Sequence, residues 1–140
     1  MTHEQKALLL ETAYTQSLRL QQLVGDLLDM ARVQAGALAL RLQLVDIKDL
    51  ISTVLGRMKD SLKQFQVHVD IPSPLPELFL DFVLIMKVCT NIIDNAITYS
   101  PITKELTLAV VIKDSFAEIH FSDRGIGIPP CDLKRVFDAF

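Results

Sequence analysis

From about Glu4 to Ala35 the chain runs without a proline, and Gly25 is its only glycine there. Leu10, Ser17, Val24 and Ala31 follow one another at seven-residue spacing, and Ala13, Leu20 and Leu27 form a second such series offset by three. Alternating steps of three and four place both series along one seam of a helix, the pattern of a helix bundle or coiled coil. Gly36, shortly after Arg32, supplies the stop. At 1.5 Å per residue such a helix is on the order of 45–50 Å long, more than a small domain can cover. It therefore needs partner helices, and a second copy of the chain is the simplest source; a homodimer through the N-terminal helix is expected.

After Gly36 the period changes. Leu38, Leu40, Leu42 and Leu44 alternate with Ala39, Arg41 and Gln43, which reads as a strand. Asp46 caps a helix running to about Lys63, with Leu50, Ile51, Val54, Leu55, Met58 and Leu62 as its apolar stripe. Phe65, Val67, Val69 and Ile71 alternate again, and Pro72, Pro74 and Pro76 stiffen the loop that follows. A short strand at Glu77–Leu80, a helix at Phe82–Tyr99 capped by Asp81, strands near Glu105–Lys113 and Phe116–Ser122, and a short helix at Cys131–Val136 complete the reading. Helices interleaved with mostly antiparallel strands predict an α+β chain: a long bundle helix followed by a two-layer α/β sandwich. The apolar, abrupt end at Val136–Phe140 gives the expectation that the sequence was cut there.

Charge and cysteine content narrow the function. A net charge of -3 argues against a nucleic-acid partner. No stretch approaches the roughly 18 uninterrupted apolar residues of a membrane span, so no direct membrane insertion by this segment is expected. Cys89 and Cys131 are far apart and in no metal-ligand spacing, and His3, His68 and His120 do not cluster with them. They read as reduced thiols.

Two local patterns carry chemistry. Along Phe82–Tyr99, at roughly 100° per residue, Lys87, Asn91, Asp94, Asn95 and Thr98 share an arc of about 100°, opposite Ile85, Val88, Cys89, Ile92, Ile93, Ala96 and Ile97. Such a stripe serves a solvated face or a ligand. Asn, Asp and Thr are poorer helix formers than the usual surface residues, and a carboxamide oxygen suits Mg²⁺. The second pattern, Asp123-Arg124-Gly125-Ile126-Gly127-Ile128-Pro129-Pro130, directly follows a strand. Its glycines permit close backbone approach, an ionised Asp123 accepts from an exocyclic amine, and Ile126 and Ile128 offer apolar contact. A plain hairpin turn is the alternative. Neither a dinucleotide fingerprint nor a P-loop is present.

Taken together, the patterns resemble sensor histidine kinases. Asn91–Tyr99 is similar to their N box, Asp123-x-Gly125-x-Gly127-Ile128 to their first glycine box, and Val136–Phe140 to their F box, in matching order and separation. Leu27–Arg32 with Gln34 and Gly36 resembles the end of their second dimerisation helix, and with Asp81–Ile85 points to the potassium-responsive, KdpD-like branch. The resemblance spans essentially the whole chain. It implies a dimerisation helix over 1–36, without the phosphoacceptor helix, and a partial ATP-binding domain of Bergerat (GHKL) type over 37–140, incomplete at its C-terminal end. It implies ATP and Mg²⁺ as cofactors, with Asn95 as metal ligand, Asn91 near the metal and phosphates, Asp123 on the adenine amine, Gly125 and Gly127 shaping the pocket, and Tyr99 and Ile128 lining it. A response regulator is the implied partner of the complete protein, and the cytoplasmic portion of a membrane-anchored sensor the implied location.

The sequence departs from that family in three places. No His-Glu-Leu-Arg-Thr-Pro-like box occurs, and His3 lies in the unrelated Thr2-His3-Glu4-Gln5-Lys6, so no catalytic acceptor residue is assigned. The glycine-rich lid expected after Phe140 is not in the sequence, and Thr98 replaces the usual phosphate-contacting lysine. The chain is accordingly expected not to autophosphorylate and to bind ATP weakly or not at all. Two other readings stand beside this one. One is a dimerising interaction module with a degenerate nucleotide pocket. The other is a chaperone- or topoisomerase-type ATPase, disfavoured because Asn91 is a poor base.

Overall fold

A computed structural model describes residues 1–114 and 116–138 of the chain. The chain separates into two compact units, Met1–Leu40 and Arg41–Phe140. In the first unit, α1 spans His3–Gln34. Thr2 and Gln5 close a capping box at its start, with Gln5 N–H donating to Thr2 Oγ1 at 3.3 Å and Thr2 N–H to Gln5 Oε1 at 2.8 Å. At its end Gly36 adopts φ +64°, and Ala37 N–H returns to the Arg32 carbonyl at 2.9 Å, a glycine-dependent stop. No residue of α1 is buried; Leu20 and Leu27 are 63% and 57% exposed.

In the second unit, the elements run β1 (Gln43–Val45), α2 (Ile47–Arg57), β2 (Gln66–Asp70), β3 (Leu78–Leu80), α3 (Phe82–Tyr99), β4 (Glu105–Lys113) and β5 (Phe116–Asp123). The strands form two sheets, an antiparallel β1–β3 pair and a three-stranded sheet in the order β2-β4-β5. β2 runs parallel to β4, and β4 antiparallel to β5. Alternation along β4 turns Leu106, Leu108 and Val110 into the core. Ile47, Leu50, Ile51 and Val54 of α2 and Met86, Cys89, Ile93 and Ala96 of α3 meet them there. The result is a helix layer on a sheet layer. Apolar burial stabilises it by roughly 1.5–3 kcal/mol for each large side chain removed from water.

Three local expectations are corrected. The leucine alternation before Asp46 pairs only over Gln43–Val45, and Val45 is the buried residue while Leu44 is 64% exposed. Register explains it: Val45 opposes the half-buried Leu78, and Leu44 opposes the exposed Phe79, so a one-residue offset puts the leucines outside. The helix after Asp46 stops at Arg57 rather than Lys63. Beyond it, Leu62 N–H donates to the Met58 carbonyl at 2.9 Å and Phe65 N–H to the Leu62 carbonyl at 2.8 Å, turning the chain into β2 while Met58 and Leu62 stay buried. Cys131–Val136 is a succession of turns, not a helix. Its bonds link residues three apart, Asp132 N–H to Pro129, Arg135 N–H to Asp132 and Asp138 N–H to Arg135, after two prolines that donate nothing. Of the F-box-like segment, Ala139 and Phe140 lie outside the described residues.

Candidate nucleotide site

α3 begins at Asp81, whose Oδ1 accepts the Leu84 N–H at 3.1 Å while Oδ2 accepts the Arg41 N–H at 2.8 Å. These two donors, the Arg41 N–H foremost, hold the Asp81 carboxyl below the ordinary value of 3.8. The helix therefore starts from a fixed point. Asn91, Asp94, Asn95 and Thr98 are exposed along it, and Met86, Cys89, Ile93 and Ala96 are buried beneath. Desolvation of its carboxyl raises the Asp94 pKa, and the Thr98 hydroxyl is spent on the Asp94 carbonyl at 2.8 Å.

Val88 and Ile92, expected on the packed side, are 51% and 38% exposed. At about 100° per residue, Val88, Asn91, Ile92, Asn95 and Tyr99 fall within one arc of roughly 100°. The exposed flank of α3 is thus mixed, with two carboxamides set among aliphatic and aromatic carbon. That mixture suits a ligand with both polar and ring surfaces better than it suits bulk water.

The glycine turn leaves β5 at Asp123 and meets the C-terminal end of α3. Asp123 Oδ1 accepts the Gly125 N–H at 2.7 Å, closing an Asx-type turn, and the Ser100 hydroxyl approaches the same oxygen at 3.4 Å. Ile126 N–H donates to the Tyr99 carbonyl at 3.1 Å. A Cβ on Gly125 would stand 2.5 Å from the Tyr99 carbonyl oxygen and 2.7 Å from Asp123 Oδ1, so only glycine fits. Gly127 has φ +70°, a conformation that disfavours side chains.

The structure thus brings Asp123 and Gly125 against Tyr99 and Ser100. Asn95 and Asn91 lie about one and two helical turns before Tyr99, roughly 6 and 12 Å along the axis. Gly127 and Ile128 follow in the exposed stretch beyond the turn, with Ile128 51% exposed. Ser100 was not singled out from sequence; its position between Tyr99 and Pro101 is the only hint. A cleft of about 500 Å³ lies beside the C-terminal end of α3, lined in part by Lys63, Phe65, Ile97, Thr98, Ser100 and Lys104. Asn91, Asn95, Tyr99 and Asp123 are not among its lining residues.

A helix layer on a mixed sheet, with a glycine turn clasped to the end of an asparagine-bearing helix, is the GHKL-type ATPase fold. Residues 81–140 match the family of histidine kinase-, DNA gyrase B- and HSP90-like ATPases. Sensor protein KdpD of Escherichia coli K12 is 27% identical over 119 residues, covering 85% of this chain and 13% of that protein. Sensor-like histidine kinase SenX3 of Mycolicibacterium smegmatis is 30% identical over 131 residues, covering 93% of this chain and 34% of its own length. The crystal structure of full-length ShkA in complex with AMPPNP superposes with a TM-score of 0.82 at 28% identity, covering 100% of this chain and 30% of that one. The chain carries a HATPase segment homologous to those of the sensor histidine kinases, a transferase family of two-component signalling. It spans about an eighth to a third of the two curated relatives.

Proposed function

We propose that this chain is part of a two-component sensor histidine kinase and that the junction of α3 with the glycine turn is its ATP site. One observation carries the reading: the clasp of Asp123 and Gly125 onto Tyr99–Ser100, at the end of the helix whose exposed flank holds Asn91 and Asn95. The residues present fit the ligand. Gly125 lets the turn close directly onto the Tyr99 carbonyl, where a Cβ would clash, the Asp123 carboxylate offers an acceptor for an exocyclic amine, and the exposed Tyr99, Ile126 and Ile128 offer apolar surface.

Mg²⁺ fits the donor chemistry through the Asn95 carboxamide oxygen, a hard ligand of the kind this cation takes alongside water and phosphate oxygens. Among the described residues no group of three or more His, Cys, Asp or Glu side chains gathers as an alternative metal site. ATP supplies the phosphoryl group and the cation spreads its charge; phosphoryl transfer depends mainly on such positioning and neutralisation. Asn91, beside Asn95, is too weak a base to activate water, which favours transfer to a partner over hydrolysis. In this reading 1–36 is a dimerisation helix and 37–140 the nucleotide-binding part. The complete protein would be a membrane-anchored sensor acting on a response regulator, with this portion in the cytoplasm. The KdpD-like branch rests on Leu27–Arg32 and Asp81–Ile85; SenX3 matches at similar identity, so the proposal is placed at the level of the sensor kinases.

A polypeptide of these 140 residues does not autophosphorylate in this reading, because its histidines are in the wrong settings. His3 opens α1 outside any acceptor box, His68 lies on β2, and His120 is bonded to Glu118 at 2.9 Å. Thr98 in place of a lysine favours the second reading, a dimerising module with a degenerate pocket. Titration of the ¹⁵N-labelled chain with Mg·ATP separates the two. Amide shifts should concentrate at Asn91, Asn95, Tyr99 and 123–127 and disappear in Asp123→Ala. Shifts confined to the Lys63/Lys104 cleft, or none at millimolar nucleotide, would refute an ATP site. Incubation with labelled ATP should leave the chain unphosphorylated.

A further inference from the structure

We propose that Ser100 is a positioning residue that fixes the Asp123 carboxylate for recognition of the purine amine. The inference rests on the reading of Asp123 just given and deepens it.

Ser100 is completely buried, its exposure 0%. A buried hydroxyl without a partner is costly. The partner in reach is Asp123 Oδ1, 3.4 Å away and 23 residues later in the chain. The same oxygen accepts the Gly125 N–H at 2.7 Å. Both donors therefore converge on Oδ1, which leaves Oδ2 available as an acceptor for a ligand. An aspartate at the exposed end of a strand would otherwise sample several staggered rotamers. Here one donor comes from the turn itself and the other from the end of α3, so the carboxylate is held relative to the helix that carries Asn91 and Asn95. The hydroxyl is also chemically suitable: it donates, leaving Asp123 acceptor-only toward the ligand. That polarity selects an exocyclic amine over a ring carbonyl.

The test compares Mg·ATP with Mg·purine riboside triphosphate, which differs by lacking the exocyclic amine, in NMR titrations of the wild type, Ser100→Ala, Ser100→Thr and Asp123→Ala. Ser100→Ala should weaken ATP about three- to tenfold, the loss of one aligned rotamer and one hydrogen bond, and leave the amine-free analogue within about twofold. Ser100→Thr, which keeps the hydroxyl, should restore the preference for ATP. Equal weakening of both nucleotides would reduce Ser100 to a structural role and overturn the proposal. A ligand-free measurement runs in parallel: side-chain couplings of Asp123 should report one χ1 rotamer in the wild type and averaging in Ser100→Ala. An unchanged rotamer refutes the Ser100 role whatever binds. Averaging together with no ATP preference in the wild type refutes instead the assignment of Asp123 to the amine.

Discussion

The Tyr99 carbonyl accepts the Ile126 N–H at 3.1 Å, so the last turn of α3 and the glycine turn share a hydrogen bond. Helix C-termini leave carbonyls without partners inside the helix, and α3 ends at Ser100 with no glycine to cap it. The turn after β5 supplies a donor instead. One bond thereby completes the helix and holds the candidate adenine-side carboxylate in place. Damage to the turn is expected to appear in stability and in ligand binding together.

Gly125→Ala tests that coupling. The added Cβ would fall 2.5 Å from a backbone carbonyl, which cannot swing aside as a flexible side chain would. Overpacking of this kind costs about 1–3 kcal/mol, a loss of roughly 5–20 °C in melting temperature for a unit of this size. Gly127→Ala meets nothing within 4 Å and suffers only from its positive φ, costing about 1–2 kcal/mol. Calorimetry should rank Gly125→Ala as the more damaging, and that variant should lose the amide shifts produced by Mg·ATP. Equal melting temperatures with intact shifts at Asn95 would disprove the clasp.

Local chemistry explains which parts were readable in advance. α3 and β4 have the bounds that Asp81, Pro101 and the alternation from Glu105 to Lys113 imply, because cap, breaker and period agree there. The outward leucines were not readable as outward. Alternation defines two faces, but only pairing with Leu78 and Phe79 decides which is buried. The turns at 131–136 lack the long apolar period that separates a helix from linked turns. At the site, Asn91, Asn95, Asp123 and Gly125 were visible as residue types in local patterns. Ser100 was not, since its significance lies in a contact with Asp123 across 23 residues. The exposure of Val88 and Ile92 likewise depends on what packs over α3, which helical periodicity alone does not reveal.

Asp81 joins α3 to the start of the second unit through the Arg41 and Leu84 N–H groups. Its pKa is depressed in the folded chain, so its contribution to stability is fully present above the ordinary value of 3.8 and is lost as pH falls through the lower folded value. Asp81→Asn keeps one acceptor for the cap but turns an amide N–H₂ toward a donor. The variant should melt lower at pH 7, and its melting temperature should fall less steeply than the wild type's below about pH 4. Parallel acid profiles for the two proteins would show that Asp81 does not contribute in this way.

Thr98 offers a gain-of-function test. Its hydroxyl is already committed to the Asp94 carbonyl, so the side chain has little to give a phosphate. Thr98→Lys adds a cation on the exposed side of α3 near Asn91 and Asn95, and replaces a poor helix former with a better one. Exposed charge pairs contribute about 0.2–1 kcal/mol, so Mg·ATP should bind roughly one-and-a-half- to fivefold more tightly at low salt. The gain should fade by about 1 M salt. Unchanged affinity, or a gain insensitive to salt, would place the phosphates away from this face.

The N-terminal helix poses the remaining energetic question. α1 spans 32 residues without burying one of them, and its series of Ala13, Leu20 and Leu27 with Leu10, Val24 and Ala31 faces solvent. Helices in proteins owe most of their stability to packing of an apolar face, so α1 should be fully formed only when that seam is covered by another copy. Sedimentation should show a concentration-dependent dimer. Leu20→Glu with Leu27→Glu should shift it to monomer, because two carboxylates on each chain would enter an apolar seam. Helical circular dichroism should fall in step, as the uncovered helix frays. A monomer at all concentrations with undiminished helicity would mean that α1 stands without a second copy, and the dimer would have to be given up.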